Sequence, residues 1–315
     1  DALRGAVEWI GFPLARKGAG LGDVWLRSTN NALSIFLIVT VTLAYSATGG
    51  LRAVIKTDLL QFAIMILATA LYAILFAGTY QRPKWVEVRN GFWGGLFFAG
   101  QLILYAVAVR HTSVANAMVI SSLQPLVLLG IAGPLFGEHP QRSLYVWSAL
   151  AIFGAAVSAK AGSTTVDTSL LGDLLALAGM LVVCLYWATS KWARAQISTV
   201  PYQLWLTAFA TMATGPAALI SGQGIAPPVG ADWWPVLLLG GLGGIGHLLL
   251  NHAHASVPLP IMGLIYLLGM VMIPLHAWWL LGEAVGGIQA LGIGVVLIAL
   301  VIAMTQSARR PLSAT

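Results

Sequence analysis

Three polar side chains, His247, Asn251 and His254, recur at i, i+4 and i+7 in an otherwise apolar run, "GGIGHLLLNHAH". On a helix they fall within about 60° of one another and make one polar stripe, while His252 points away from it. Imidazole and amide groups both donate and accept, so such a stripe can hold a neutral solute by hydrogen bonds. His247, His252, His254 and His276 offer the alternative of a membrane-embedded metal enzyme, but no carboxylate or Cys accompanies them and His252 does not face the same way. Other polar groups stand in apolar surroundings. Gln101 and Tyr105 share a face at i, i+4, and Ser121 and Gln124 come just before Pro125, whose missing N–H frees the carbonyl of Ser121. Pro274 does the same for Met270, close to Tyr266 and His276, and Tyr186 is placed to close a cavity. These residues are the expected solute contacts. Each also has a plainer role: proline bends, hydrogen bonds between helices, structural histidines, and packing by Tyr186 and Trp187.

The acidic residues fall in loops or near helix ends, which disfavours a proton relay at mid-membrane. Glu138 and Glu283 are expected to be helix-end or gate residues with hydrogen-bonded carboxylates. No catalytic residue, metal or cofactor is expected, and the chain is not read as an enzyme. Gly240, Gly241, Gly243, Gly244 and Gly246 lie within an apolar run that lacks a Gly-Lys-Ser/Thr ending, so they serve close helix approach and make no phosphate loop.

The elements that must position these groups follow from composition. Hydrophobic residues make up 58% of the chain and charged residues 8%, with a mean hydropathy of +0.86. That is far from a soluble domain, where about a quarter of residues are charged. A helix crossing about 30 Å of hydrocarbon needs about 20 apolar residues. Ten stretches satisfy this, near 31–48, 58–80, 92–110, 114–136, 142–161, 169–190, 202–221, 233–253, 258–281 and 287–305. They are long and do not alternate as barrel strands do. The expected fold is all-α, a polytopic membrane protein.

Placing the amino terminus in the cytoplasm puts there all of the 16 Lys and Arg except Arg52, Lys56, Arg110 and Lys160. A bias that strong supports both the orientation and the number of spans, with both termini cytoplasmic. Trp85, Trp93, Trp192, Trp233 and Trp234 lie near predicted helix ends, as an interfacial belt does. The net charge of +6 is spread over loops and ends, with no basic stripe for nucleic acid. The one cysteine, Cys184, reads as an apolar packing residue. The partners expected are a small-molecule solute and the lipid bilayer; a homodimer is left open as an assembly.

A repeat becomes visible when the halves are laid together. His111-Thr-Ser-Val114 answers His254-Ala-Ser-Val257 at an offset of 143, and Gly137-Glu138 answers Gly282-Glu283 at 145. Five spans separate the paired features, an odd count, so the second unit enters the membrane from the opposite side and the repeat is inverted.

Three stretches carry a family resemblance: "YAVAVRHTSVANAMVISSLQPLVLLGIAGPLFGE", "GDLLALAGMLVVCLYWATSKWAR" and "GHLLLNHAHASVPLPIMGLIYLLGMVMIPLHAWWLLGE". In order and spacing they resemble EamA-type members of the drug/metabolite transporter superfamily over about residues 92–305. The resemblance implies ten helices in two five-helix halves, a central cavity between them, and secondary transport of a small organic solute, with the bacterial inner membrane as the expected location. The first segment departs from that pattern. In "TLAYSATGGLRAVIKTDLLQFAIM", Gly49 to Val54, Thr57, Asp58 and Gln61 resemble a loop signature of sodium:solute symporters. That family's loop is cytoplasmic, whereas the ten-span count puts Arg52 and Lys56 outside. The expected organisation is a symporter-like two-helix segment at 1–78, the rest of a first EamA-type half at 79–161, a second half at 162–308 and a tail at 309–315. The chain begins at Asp1 without a Met, and the first segment reads as joined from elsewhere; a non-transporting fusion with an incomplete cavity is the alternative to a working transporter.

Overall fold

The computed structural model describes residues 9–11, 25–27, 84–161, 169–220, 233–281 and 285–309. The first two expected spans, 31–48 and 58–80, and the symporter-like signature lie outside the described residues, as does Glu283. From residue 84 onward the described chain is helical: α1 (Trp85–Ala108), α2 (Val114–Ser121), α3 (Gln124–Phe136), α4 (Arg142–Ala161), α5 (Leu170–Arg194), α6 (Thr199–Ile220), α7 (Trp233–Ala253), α8 (Leu259–Leu281) and α9 (Gly287–Arg309). The all-α expectation has one exception, a short antiparallel pair of β1 (Trp9–Gly11) and β2 (Trp25–Arg27), with Ile10 opposite Leu26. Aromatic and branched side chains suit such a pleated pair. Among the described residues four segments are long and apolar enough to cross a membrane: α1, α2 with α3, α4 and α5. Shorter apolar helical stretches lie at Leu259–Gly269 and Gly287–Ala303. The protein is an integral membrane protein.

Helix ends follow local chemistry. Lys84 donates its backbone N–H to the Glu87 carboxylate at 3.1 Å where α1 begins, and Ser169 accepts from the Gly172 N–H at 3.1 Å to cap α5. Lys191 and Arg194 occupy the last turn of α5, where a helix favours positive charge. Gly137 ends α3 with φ at 65°, a left-handed conformation that glycine adopts without steric cost.

Residues 114–136, expected as a single span, form one membrane-length segment that carries a local irregularity. The helix breaks at Ser122 and Leu123 and restarts at Gln124. Pro125 stands in the first turn of the new helix, where its missing N–H costs no hydrogen bond. Ser122 turns its hydroxyl back to the Val119 carbonyl at 2.6 Å.

Packing is set by small residues. Gly91, Gly94 and Gly95 let α1 close on α6; a Cβ at Gly95 would stand 2.5 Å from the Leu206 carbonyl. Helices α4 and α9 touch through backbone on both sides. A Cβ at Gly154 would meet the Gly292 carbonyl at 2.8 Å, and one at Gly292 would meet that of Gly154 at 2.7 Å. Trp147 on α4 also donates to Gln306 on α9 at 3.2 Å. The core has two lobes. One gathers Phe98, Leu128, Tyr186, Trp187, Leu206, Leu259 and Met262 around α5, and the other gathers Leu129, Leu144, Leu264, Leu267, Val296 and Ala299 around α4 and α9. Helices α3 and α8 belong to both.

At one end of α5 the connection after α1 is docked onto the start of α5. Thr112 donates to Asp173 at 2.5 Å and Ser169 to the His111 carbonyl at 2.7 Å, over Gly172, where a Cβ would come within 2.5 Å of His111. Thr112→Val is expected to lower thermal stability by about 1 kcal/mol, the net worth of a typical hydrogen bond, raised toward about 2 kcal/mol if Asp173 finds no water. Thermal unfolding in detergent measures it.

Candidate functional site

A buried polar chain links α5, α6 and α7. Tyr186 donates its hydroxyl to Asn251 Oδ1 at 3.2 Å, and Asn251 Nδ2 donates to Gln203 Oε1 at 2.5 Å. All three residues are buried. Helix periodicity places Tyr186 and Ser190 on one buried face of α5, with Cys184 buried on the opposite face, and Ser190 in turn shares a hydrogen bond of 2.7 Å with Tyr202. Arg194 donates from Nε to the Asn251 carbonyl at 3.0 Å and from its guanidinium to the Ile197 carbonyl, which fixes the end of α7 against α5.

Aromatic rings surround this chain. Phe98 packs against Tyr186 at 5.0 Å between centroids and edge-on against His247 at 4.7 Å. Trp187 meets His254 at 5.6 Å and Tyr266 at 5.9 Å, both edge-on. Among the described residues several buried polar atoms have no protein partner: beside this chain Nδ1 of His247, Nε2 of Gln203 and both ring nitrogens of His254, on α3 both amide atoms of Gln124, and elsewhere atoms of Asn90, Ser148 and Trp205. An unmet buried donor or acceptor costs about 1–3 kcal/mol, so these groups call for partners beyond the protein, whether water or a solute.

The expected residues separate accordingly. Tyr186, His247 and Asn251 come together with Phe98, and Tyr266 reaches the same group through Trp187. Gln124 approaches through its carbonyl, 4.0 Å from the Cys184 sulfur. Gln101 and Tyr105 lie where α1 crosses α5 opposite Gly179, and Tyr105 packs with Ala108, Ala117 and Ala176 in a separate cluster. Ser121 sits at the break between α2 and α3. His276 lies within α8, its side chain outside the described residues. His252 is turned outward, with its Nδ1 3.3 Å from the Thr199 hydroxyl. His254, just past the end of α7, is fully buried beneath Trp187. Among the described residues no group of three or more His, Cys, Asp or Glu side chains could hold a metal ion.

Two participants escaped the sequence reading. Gln203 is an isolated amide in an apolar run, with Thr207 one turn on as the only local signal. Lys191 counted only toward charge bias. It pairs with Glu138 at 2.7 Å and donates to the Val257 carbonyl at 2.8 Å. The other oxygen of Glu138 accepts from the Leu259 N–H at 3.0 Å, so this carboxylate caps α8 from another helix.

Comparison with known proteins bears on the half that carries this chain of contacts. Residues 170–305 match the EamA-like transporter family. The match runs from the first residue of α5 into α9 and thus takes in Tyr186, Gln203, His247, Asn251 and Tyr266. It covers less than half of the chain and does not extend to the symporter-like segment. A solved structure titled "Crystal structure of protein" is similar over 89% of this chain and 96% of its own, with a TM-score of 0.72 and 23% identity. At that identity the likeness is one of fold. No curated protein matches.

Proposed function

We propose that the protein is a secondary transporter of a small organic solute, working by alternating access between two inverted five-helix halves of a ten-helix bundle. The EamA-like match at 170–305 supports the transporter class. The matched Gly137-Glu138 and Gly282-Glu283 pairs, 145 residues apart with an odd number of spans between them, support the inverted repeat. Both termini are assigned to the cytoplasm on the charge bias.

The observation that carries the solute site is Gln124, fully buried with neither amide atom bonded. A side chain that serves packing alone gains nothing from such an amide. With Tyr186, Gln203, His247, Asn251 and the rings of Phe98, Trp187 and Tyr266, it suits a neutral, zwitterionic or aromatic solute better than a phosphorylated one. Gln101, Tyr105, Ser121 and His276 complete the proposed contacts from the remaining helices.

Gln124→Leu separates the readings by sign. Removing an unsatisfied amide is expected to raise thermal stability by about 1 kcal/mol, while uptake falls at least tenfold. Solutes are found by a thermal-shift screen of neutral and zwitterionic metabolites, then tested for uptake into proteoliposomes. Undiminished uptake with Gln124→Leu would remove this residue from the site.

A further inference from the structure

The repeat pairs Ser113 with Ser256, Val114 with Val257, and hence Asn116 with Leu259. These two matching N–H groups are satisfied differently. In the first unit Ser113 caps its own helix, its hydroxyl accepting from Asn116 N–H at 3.1 Å. In the second unit the Leu259 N–H goes instead to Glu138, a residue 121 positions away at the end of α3, and Lys191 clamps the same loop through Val257. Burial follows the capping. Leu259 is buried where its counterpart Asn116 is half-buried, and Val257 is half-buried where its counterpart Val114 is exposed.

We infer that Glu138 and Lys191 form a latch that closes one face of the transporter, and that it opens by exchange of caps: Ser256 takes over the Leu259 N–H as Ser113 already holds that of Asn116. This rests on the alternating-access reading above. The exchange makes release inexpensive, because a backbone donor that loses the carboxylate finds a hydroxyl within its own turn. The strength of the closed form comes from one carboxylate serving two elements: one oxygen on an ammonium, the other on a helix N-terminus.

The test uses the full chain in lipid nanodiscs, where both faces are accessible, in a Cys184→Ala background. Met262→Cys, in the first turn of α8 and 4% exposed, reports the latched face, and Val114→Cys reports the other. Labelling with a polyethylene glycol maleimide is followed by gel shift. Glu138→Ala and Lys191→Met are expected to raise the labelling rate at Met262→Cys roughly tenfold, the scale of one charge-assisted hydrogen bond, with Glu138→Gln between them and the parent because its amide oxygen still caps Leu259. Lys191→Arg is expected to keep the site protected, and Ser256→Ala to lower labelling below the parent by removing the replacement cap. Unchanged labelling at Met262→Cys in both Glu138→Ala and Lys191→Met overturns the latch. Where Met262→Cys opens while Val114→Cys stays as reactive as before, the latch stands and alternating access fails. Should Glu138→Ala not fold, as judged by size exclusion, Lys191→Met and Ser256→Ala decide the matter alone.

Discussion

Gly292→Ala is expected to be strongly destabilising although it adds a single methyl group. In a helix interior this substitution ordinarily gains up to about 1 kcal/mol of propensity. Here the new Cβ would stand 2.6 Å from the Ser158 amide nitrogen and 2.7 Å from the Gly154 carbonyl, and backbone cannot rotate aside as a side chain does. The two helices must separate along their length, which strips contacts from Ala151, Ala155, Val296 and Ala299 in the same lobe. Overpacking of this sort costs about 1–3 kcal/mol or more, so the clash outweighs the propensity gain. Gly154→Ala attacks the same contact from the other side and should cost a similar amount. Combined, the two should cost clearly less than their sum, because the first already forces the helices apart. Thermal unfolding of the three variants in one detergent checks both the sign and the non-additivity; a stabilised Gly292→Ala would show that the helices are not in backbone contact.

The second large effect is expected at Asn251. Its side chain is the only bridge between Tyr186 and Gln203 in the described contacts, donating to one and accepting from the other. Asn251→Leu leaves a phenol and an amide oxygen buried without that partner. Single interhelical hydrogen bonds in membranes average about 0.6 kcal/mol, but two orphaned groups in a fully buried position bring the loss to roughly 2 kcal/mol. Uptake should disappear altogether, since the residue also fixes the approach of α7 to α5 near His247. Tyr186→Phe removes only the donor and should cost less than Asn251→Leu. In the Tyr186→Phe background, Asn251→Leu should lose part of its penalty. Full additivity would mean that the hydrogen bond between them carries no energy.

What the sequence made legible, and what it hid, divides along physical lines. Residues 142–161 and 233–253 were expected as spans and are occupied by α4 and α7 because an apolar run closed by polar or glycine-rich ends has one economical solution in lipid. The break at Ser122 and Leu123 left no such trace, since the run stays apolar through it and Pro125 fits as well at a helix start as at a bend. His247 and Asn251 could be found together because their relation is local to one helix. The burial of His254 could not, for it depends on Trp187 arriving from another helix. The same holds for Lys191: charge alone placed it at a membrane edge, and only the fold sets its ammonium against Glu138.

The sharing of α3 and α8 between the two lobes has a mechanical consequence. Adjacent residues Leu128 and Leu129 anchor α3 in different lobes, and Met262 and Leu264 do so for α8. Neither rod is anchored to one side of the molecule alone, so the alternating access proposed above requires any relative travel to be absorbed as curvature within them. At the start of α3 the chain keeps helical dihedrals through Ser122 and Leu123 and tightens by a bond from the Leu123 N–H to the Ile120 carbonyl, so α2 and α3 transmit strain to one another as a nearly continuous rod.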